Sequence, residues 1–444
     1  MAEVFPFPAY CYNSQRVELE KVLTQPYDKI TTAMQERYYA ASPFNLIPVE
    51  RGKSFLNDTP ENNMYTRAAQ KLSEWTAQDI LVRDPAPSIY AYSQDYSVPG
   101  THAHRLRQGF IALGRVEDYA AGVVFRHEHT LAGPKADRLE LLRKTRAETG
   151  QLFMLYDDPA GRIDQLIAKI SHAPAVIEVR DEYDVVHRLW PISDPAMVQH
   201  FMAGMADKKL VIADGHHRYE TALAYRDECR RATNSTDRNA PHEKAMMTFF
   251  NAHGRGLTIL PTHRVLSNLP EFDFEQFRSL LTPYFDWYAY PFCDASECAA
   301  ACHEFRKDLE GRGREHHAIG MYAGRGAFYL FLLRRAADLN HLLPDVSPRQ
   351  QQLDIVLLHR LMLERGLGIT AEAVAAEKHI TYEREMDAAI AAVDSGRAQL
   401  ACLLNPVRVE QVMQIALARE VLPQKSTDFY PKLLSGLTIY RLDG

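Results

Sequence analysis

The chain has 444 residues, 46% of them hydrophobic and 24% charged, and a net charge of −6. The length suits about two or three domains. The acid surplus argues against nucleic acid as the main partner, because duplex binding needs a basic surplus. The six cysteines, Cys11, Cys229, Cys293, Cys298, Cys302 and Cys402, are too scattered for a disulfide framework. No signal peptide and no apolar run of membrane-spanning length is visible. The expectation is a cytoplasmic protein without a membrane partner.

In chain order, Asn62 to Ile80 predicts a helix, with Met64, Ala68, Leu72 and Trp75 on one face. Ile89 to Tyr96 and Arg105 to Val116 predict a hairpin around Pro99-Gly100. Pro134 to Thr149 predicts a charged helix stopping at Gly150, and Leu152 to Tyr156 a buried strand. A second hairpin is expected from Ala175 to Val179 and Val185 to Leu189, flanking Asp181-Glu182. Asp194 is placed to cap a helix from Pro195 to about Ala206. Leu210 to Ala213 predicts a strand and Tyr219 to Arg231 a helix. The polar segment from Ala232 to Pro241 marks a boundary. Beyond it, strands are expected at Met246 to Asn251, Leu257 to Leu260, Leu400 to Leu404 and Leu437 to Leu442. Helices are expected at Gln350 to Arg365 and Val409 to Arg419. The mixture of hairpins and helices predicts an α+β or mixed α/β multi-domain protein. Its parts are expected to be 1–240 and 241–444, packed on one cleft.

The segment VIADGHHRYETALAYR, Val211 to Arg226, reads as strand, Asp-Gly turn and helix. The first turn of a helix leaves backbone N–H groups unpaired and carries partial positive charge. Gly215 lets a ligand approach the backbone, and Arg218 adds a fork suited to phosphate oxygens. His216 or His217 would donate a hydrogen bond or move a proton near neutral pH. Asp214 would orient a histidine or hold Mg²⁺. Three potential cations at a helix start conflict with the macrodipole, and an anion would remove that conflict.

This segment is joined by PYDKI (Pro26 to Ile30), FRHEHT (Phe125 to Thr130), KADRLELL (Lys135 to Leu142), LPTHR (Leu260 to Arg264) and PQKSTDFYPKLLSGL (Pro423 to Leu437). Together they resemble the bacterial and archaeal family filed as domain of unknown function 1015, a resemblance that implies no established reaction. From Asp194 to Arg231 the order helix, strand, D-G-H-H-R, helix is similar to the core of the ParB/sulfiredoxin superfamily. In that superfamily a G-x-x-R segment at a helix start binds nucleotide phosphates. The matching positions are Gly215 and Arg218. The reactive Cys of sulfiredoxins is missing from this segment, and neither the DNA-binding helical region nor the basic surface of partition proteins is evident. The nucleotide-using free-serine kinase branch is the one left.

Four further groups are candidates. His127 and His129 form an H-x-H pair that would share a strand face as metal ligands, and Glu128 between them would accept a hydroxyl proton. Lys135 and Arg138 would add phosphate contacts. His263 and Arg264 stand at a strand end, and Lys425, Ser426 and Thr427 form a basic, hydroxyl-rich segment suited to phosphate. Cys293, Cys298, Cys302 and His303 lie mostly in one Ala-rich helix without CxxC spacing, so buried thiols are expected rather than zinc. Gly52-Lys53-Ser54 lacks the earlier glycine of a P-loop, and no dinucleotide fingerprint follows a strand.

The expectation is a phosphoryl-transfer enzyme, a small-molecule kinase or phosphotransferase acting on a serine-like hydroxyl. It would bind a nucleotide or small phosphorylated molecule, with ATP or ADP as substrate, weakly held Mg²⁺ and oligomerisation allowed. The rivals are a metal-dependent phosphatase or hydrolase using His127, His129, His216 and His217, and a non-catalytic nucleotide-gated binding protein.

Overall fold

The strands β2 (Ile89–Ser97) and β3 (His104–Arg115), continuously buried over Ile89–Gln94 and Gly109–Arg115, pair antiparallel from Tyr90↔Ile111 to Ser97↔His104, as the Pro-Gly turn predicts. The computed structural model describes residues 1–128 and 132–443. The chain forms two compact units, one of Met1–Thr258 with Tyr430–Gly444, the other of Ile259–Phe429.

Unit 1 is built on a sheet of nine strands among the described residues. Besides β2 and β3 these are β1 (Val4–Phe5), β4 (Val124–Phe125), β5 (Leu152–Tyr156), β6 (Ile177–Arg180), β7 (Val186–Ile192), β8 (Leu210–Asp214) and β9 (Lys244–Asn251). The order is β4-β8-β5-β9-β3-β2-β7-β6, with β1 on β3. Two pairs, β8 with β4 and β9 with β5, are parallel. The predicted hairpin at Asp181-Glu182 is present as β6 and β7.

Alternation gives this sheet two unlike faces. One face is apolar: Ala91, Phe110, Met154, Ile212 and Phe249 pack with Phe201 and Met205 of the Asp194-capped helix Pro195–Met205. Phe110 stacks on Phe249 at 4.9 Å between ring centroids and meets Phe201 edge-on at 5.1 Å. The other face carries Tyr92, Gln94, Arg107, Phe153 and Phe250, at odd-numbered offsets on the same strands. The segment after Tyr430 lies across this second face. Arg107, buried over the Phe153 and Phe250 rings at 4.7 and 4.9 Å, donates to the Tyr430 carbonyl at 3.1 Å and to the Pro431 carbonyl. Gln94 donates to the Lys432 carbonyl at 2.8 Å.

The helices of unit 1 include Met64–Ala77, close to its predicted bounds and capped by Asn63, and the long helix His216–Thr233. The charged helix Ala132–Thr145 ends earlier than expected. Arg146 takes a left-handed backbone (φ 46°), after which Ala147 and Glu148 form a short strand against Tyr440–Arg441. That pairing is all the strand that Leu437 to Leu442 forms, because Thr438 and Ile439 instead make side-chain and single-bridge contacts.

Unit 2 contains a second sheet of β10 (His263–Leu266), β11 (Phe285–Pro291), β12 (Ala318–Tyr322), β13 (Ala327–Leu333), β14 (Ile380–Glu383) and β15 (Leu400–Leu404). Its order is β11-β13-β12-β15-β10-β14, antiparallel throughout. The Ala-rich helix Ala295–Arg312 packs Phe305 and Leu309 onto it, with Cys298 and Cys302 at the edge of that apolar cluster. The expected helix Gln350 to Arg365 is broken. Leu353 is extended, and the chain then runs as α-helix to Leu357 and as π-helix over Leu358–Glu364. Among the described residues no helix is long and apolar enough to cross a membrane.

Candidate functional site

The strand–turn–helix forms as the sequence predicts. β8 ends at Asp214, and Gly215 takes a left-handed backbone (φ 95°) before the helix begins at His216. A Cβ at Gly215 would lie 3.1 Å from Leu152 Cδ2 and 3.3 Å from Arg218 Nε, so both the backbone angle and the space select glycine. Among the described residues the helix has no side-chain cap, and its first turn holds no acid, which leaves its first N–H groups for another partner. Gly215→Ala is expected to cost about 1–3 kcal/mol from the left-handed backbone alone. A shift of the urea midpoint without a change in slope would check it.

Asp214 is the charged centre of the turn. Its Oδ2 accepts from Lys432 Nζ at 3.0 Å, across 218 residues of sequence. Burial would raise the Asp214 pKa, but Lys432, Arg218 and Lys29 outweigh it and hold the carboxyl well below its ordinary value. Arg218 donates from Nη1 to the Gln151 carbonyl, while its buried Nε has no hydrogen-bond partner among the described residues.

His216 and His127 are neutral near pH 7. His216 is buried; burial and then His127 push its pKa far down, and among the described residues its Nε2 has no hydrogen-bond partner. His127 is buried edge-on to it, with ring centroids 4.7 Å apart, and burial lowers its pKa to about 4. The carbonyl of Ile212, 2.8 Å from His127 Nδ1, assigns the proton to that nitrogen. The conflict between three cations and the helix dipole is thus smaller than the sequence suggests, since burial removes the charge of His216. Neither of these two imidazoles is tuned to exchange protons at neutral pH. His217 and Glu128 are half-buried. His129 and Thr130 lie outside the described residues.

Lys135 and Arg138 both have carboxylate partners. Lys135 Nζ lies 3.6 Å from Glu220, which also meets Arg126 at 3.2 Å. Arg138 pairs with Asp137 at 2.7 Å, donates to the Glu50 carbonyl at 2.8 Å and lies over the Tyr27 ring at 4.3 Å. Arg138 and Arg218 nevertheless line one small cavity of about 60 Å³ with Tyr27, Glu50 and Glu148. Glu50 is buried and accepts from Thr149 Oγ1 at 2.7 Å, Ser435 Oγ at 2.9 Å and Tyr27 N at 3.2 Å. Glu148 accepts from the Met246 N–H at 2.5 Å, and burial pushes its pKa up to about 7 against that bond and Arg218.

Glu50 and Glu148 carry no sequence motif, and nothing in the chain order marks either. Lys29 was signalled only by its place in PYDKI, and Lys432 only by its place in DFYPK.

Five of the candidates lie in unit 2. His263 is buried, accepts from Leu404 N at 3.2 Å and is pushed down to a pKa of about 4 by burial and then Arg264. Buried Arg264 donates to the carbonyls of Thr262, Gln424 (3.2 Å) and Lys425 (3.0 Å). Ser426 Oγ donates to the Pro423 carbonyl at 2.5 Å. Lys425 is exposed, with a left-handed backbone (φ 56°), and Thr427 is half-buried.

With this geometry, the chain is a mixed α/β protein of two units whose most distinctive turn is an uncapped helix start beside a triply cation-flanked aspartate. It belongs to the family described as Protein of unknown function (DUF1015), whose model matches residues 4–356. No curated protein matches the chain. Among solved structures it is similar to a conserved hypothetical protein from Pyrococcus furiosus, at 12% identity and a TM-score of 0.33, covering 72% of this chain and 93% of that one. It is also similar to a free serine kinase in complex with AMP, at 11% identity and a TM-score of 0.33, covering 71% of this chain and 89% of that one. A third is SbnI with C-terminal truncation from Staphylococcus aureus, at 11% identity and a TM-score of 0.33, covering 73% and 85%.

Proposed function

We propose that the Gly215–Arg218 turn binds the phosphates of a nucleotide, and that the protein transfers a phosphoryl group to a small hydroxyl compound such as serine. The observation that carries this reading is the uncapped start of the His216–Thr233 helix, next to a buried Arg218 Nε and His216 Nε2 that have no hydrogen-bond partner among the described residues. Phosphate oxygens would pair with the first-turn N–H groups and Arg218 Nε–H. A neutral His216 would serve as a hydrogen-bond partner to the ligand rather than as a fixed charge.

The proton of the attacking hydroxyl needs an acceptor. Asp214 is a poor one, because three cations hold it ionised; its part is to fix Lys432 and Arg218. Glu128, at the end of the β4 segment, and Glu148, which titrates near 7 and shares a cavity with Arg218, are the acceptors to test. Asp214 faces an ammonium and a guanidinium, and among the described residues no three His, Cys, Asp or Glu side chains gather as a metal set. The turn therefore does not fit a preformed divalent-cation cage, and Mg²⁺ would arrive on the nucleotide phosphates. A cytoplasmic setting suits the six free cysteines.

The test is thermal stability of the purified chain with ATP, ADP, pyrophosphate and phosphoserine, each with and without Mg²⁺. A ligand of the native state raises the melting temperature by mass action. Nucleotide binding together with serine-dependent turnover of the nucleotide supports the proposal, and no response to any phosphate compound rejects it.

Glu148 supplies a separate check. Its folded pKa lies above the ordinary carboxyl value of about 4.3, so the folded state holds its proton more tightly. The stability it contributes is full below about pH 4.3 and is lost as pH rises through about 7. Glu148→Gln removes that loss. The melting temperature of the variant relative to wild type is expected to be higher at pH 8 than at pH 5; a gap that does not change with pH would contradict the assignment.

A further inference from the structure

Unit 2 contains a cavity of about 370 Å³, lined only by residues of that unit. Its wall holds five guanidinium groups, those of Arg264, Arg314, Arg334, Arg335 and Arg408, against two carboxylates, Glu315 and Asp354. Some of this charge is already matched. Arg314 pairs with Glu310 at 2.7 Å and Arg334 with Asp286 at 2.9 Å. Asp354 is taken up by His317, whose Nδ1 lies 2.7 Å from it.

What remains is a concave surface with an excess of unmatched positive charge. Arg335 and Arg408 are exposed and form no ion pair among the described residues. Arg264 is 1% exposed, donates to backbone carbonyls and lies over the Tyr382 ring at 5.3 Å, and among the described residues it meets no carboxylate and its Nε has no hydrogen-bond partner. A buried guanidinium without a carboxylate is costly, and an anion within reach offsets that cost. Its Nη groups are taken by those carbonyls, which leaves the Nε–H for an oxyanion, and Thr262 and Ser426 line the same space. The volume falls in the range of small-ligand pockets, roughly 300–1,000 Å³.

We infer that this cavity is a binding site for a small, multiply charged phosphate compound, a phosphate ester or diphosphate, held by Arg264, Arg335 and Arg408. The site does not depend on the reading of the Gly215 turn, because each of its lining residues belongs to unit 2.

The experiment is calorimetric titration of the full chain with pyrophosphate, and separately with citrate, for wild type, the double variant Arg335→Ala/Arg408→Ala, and Arg218→Ala. Both unit 2 arginines are exposed, so the melting temperature of the double variant is expected to match wild type. The expected result is a pyrophosphate-binding event that weakens at least about tenfold in the double variant, the loss of one or more charge-assisted hydrogen bonds, and that persists in Arg218→Ala. Unchanged affinity in the double variant overturns the proposal. So does the loss of all pyrophosphate binding in Arg218→Ala, which would assign the event to the turn of unit 1. Binding of citrate without pyrophosphate overturns the assignment of phosphate chemistry.

Discussion

Lys432→Met is expected to destabilise the protein by about 2–3 kcal/mol at neutral pH, below the usual cost of breaking a fully buried ion pair. Lys432 is 10% exposed and Asp214 22%, and the two meet at 3.0 Å. Methionine keeps the apolar stem and removes the ammonium, so Asp214 is left with Arg218 and Lys29 to oppose its burial. The pH dependence gives the sign. In the wild type the folded Asp214 pKa is depressed, so its contribution is present above the unfolded value of about 3.9 and is lost as pH falls through the lower folded value. In the variant the Asp214 pKa rises, and protonation relieves the unmatched charge sooner. The stability difference between the two proteins is therefore largest near pH 7 and shrinks toward pH 3. Urea midpoints at pH 7, 5 and 3 measure it, and a difference that stays constant would remove Lys432 from the turn.

Arg218→Ala is expected to weaken nucleotide binding by roughly 10- to 100-fold, the worth of one or two hydrogen bonds to a charged ligand at about 1.5–3 kcal/mol. The variant also leaves the Gln151 carbonyl without its guanidinium donor, so the melting temperature of the free protein should fall a little. Binding and stability can be separated with Arg218→Lys, which keeps the charge but not the fork. If the fork holds phosphate, the lysine variant recovers only part of the affinity. The exposed Arg16→Ala serves as the control. Equal affinity in Arg218→Ala and Arg16→Ala would show that the ligand sits elsewhere.

The local pieces of this molecule are written in its sequence. The turn at Asp214-Gly215, the Asp194 cap, the Pro99-Gly100 hairpin and the helix bearing Leu72 and Trp75 each depend on residues within a few positions of one another, so periodicity and turn chemistry predict them. Unit 2 was less legible. Its edge strand Phe285–Pro291 is largely exposed, without a clean apolar alternation, and the break at Leu353 follows no proline or glycine. The charge state of the turn could not be read at all. His216 looks like a potential cation in the sequence and is neutral in the fold, because burial depends on what packs over it. Lys432 reaches Asp214 only because Arg107 and Gln94, more than 300 residues before it, hold the carbonyls of Tyr430, Pro431 and Lys432 across the second face of the sheet. The sequence by itself determined which short segments turn, cap and alternate. Tertiary structure alone decided which charges meet, which are silenced by burial, and which glutamates stand beside Arg218, since those outcomes depend on contacts between residues that have no fixed spacing along the chain.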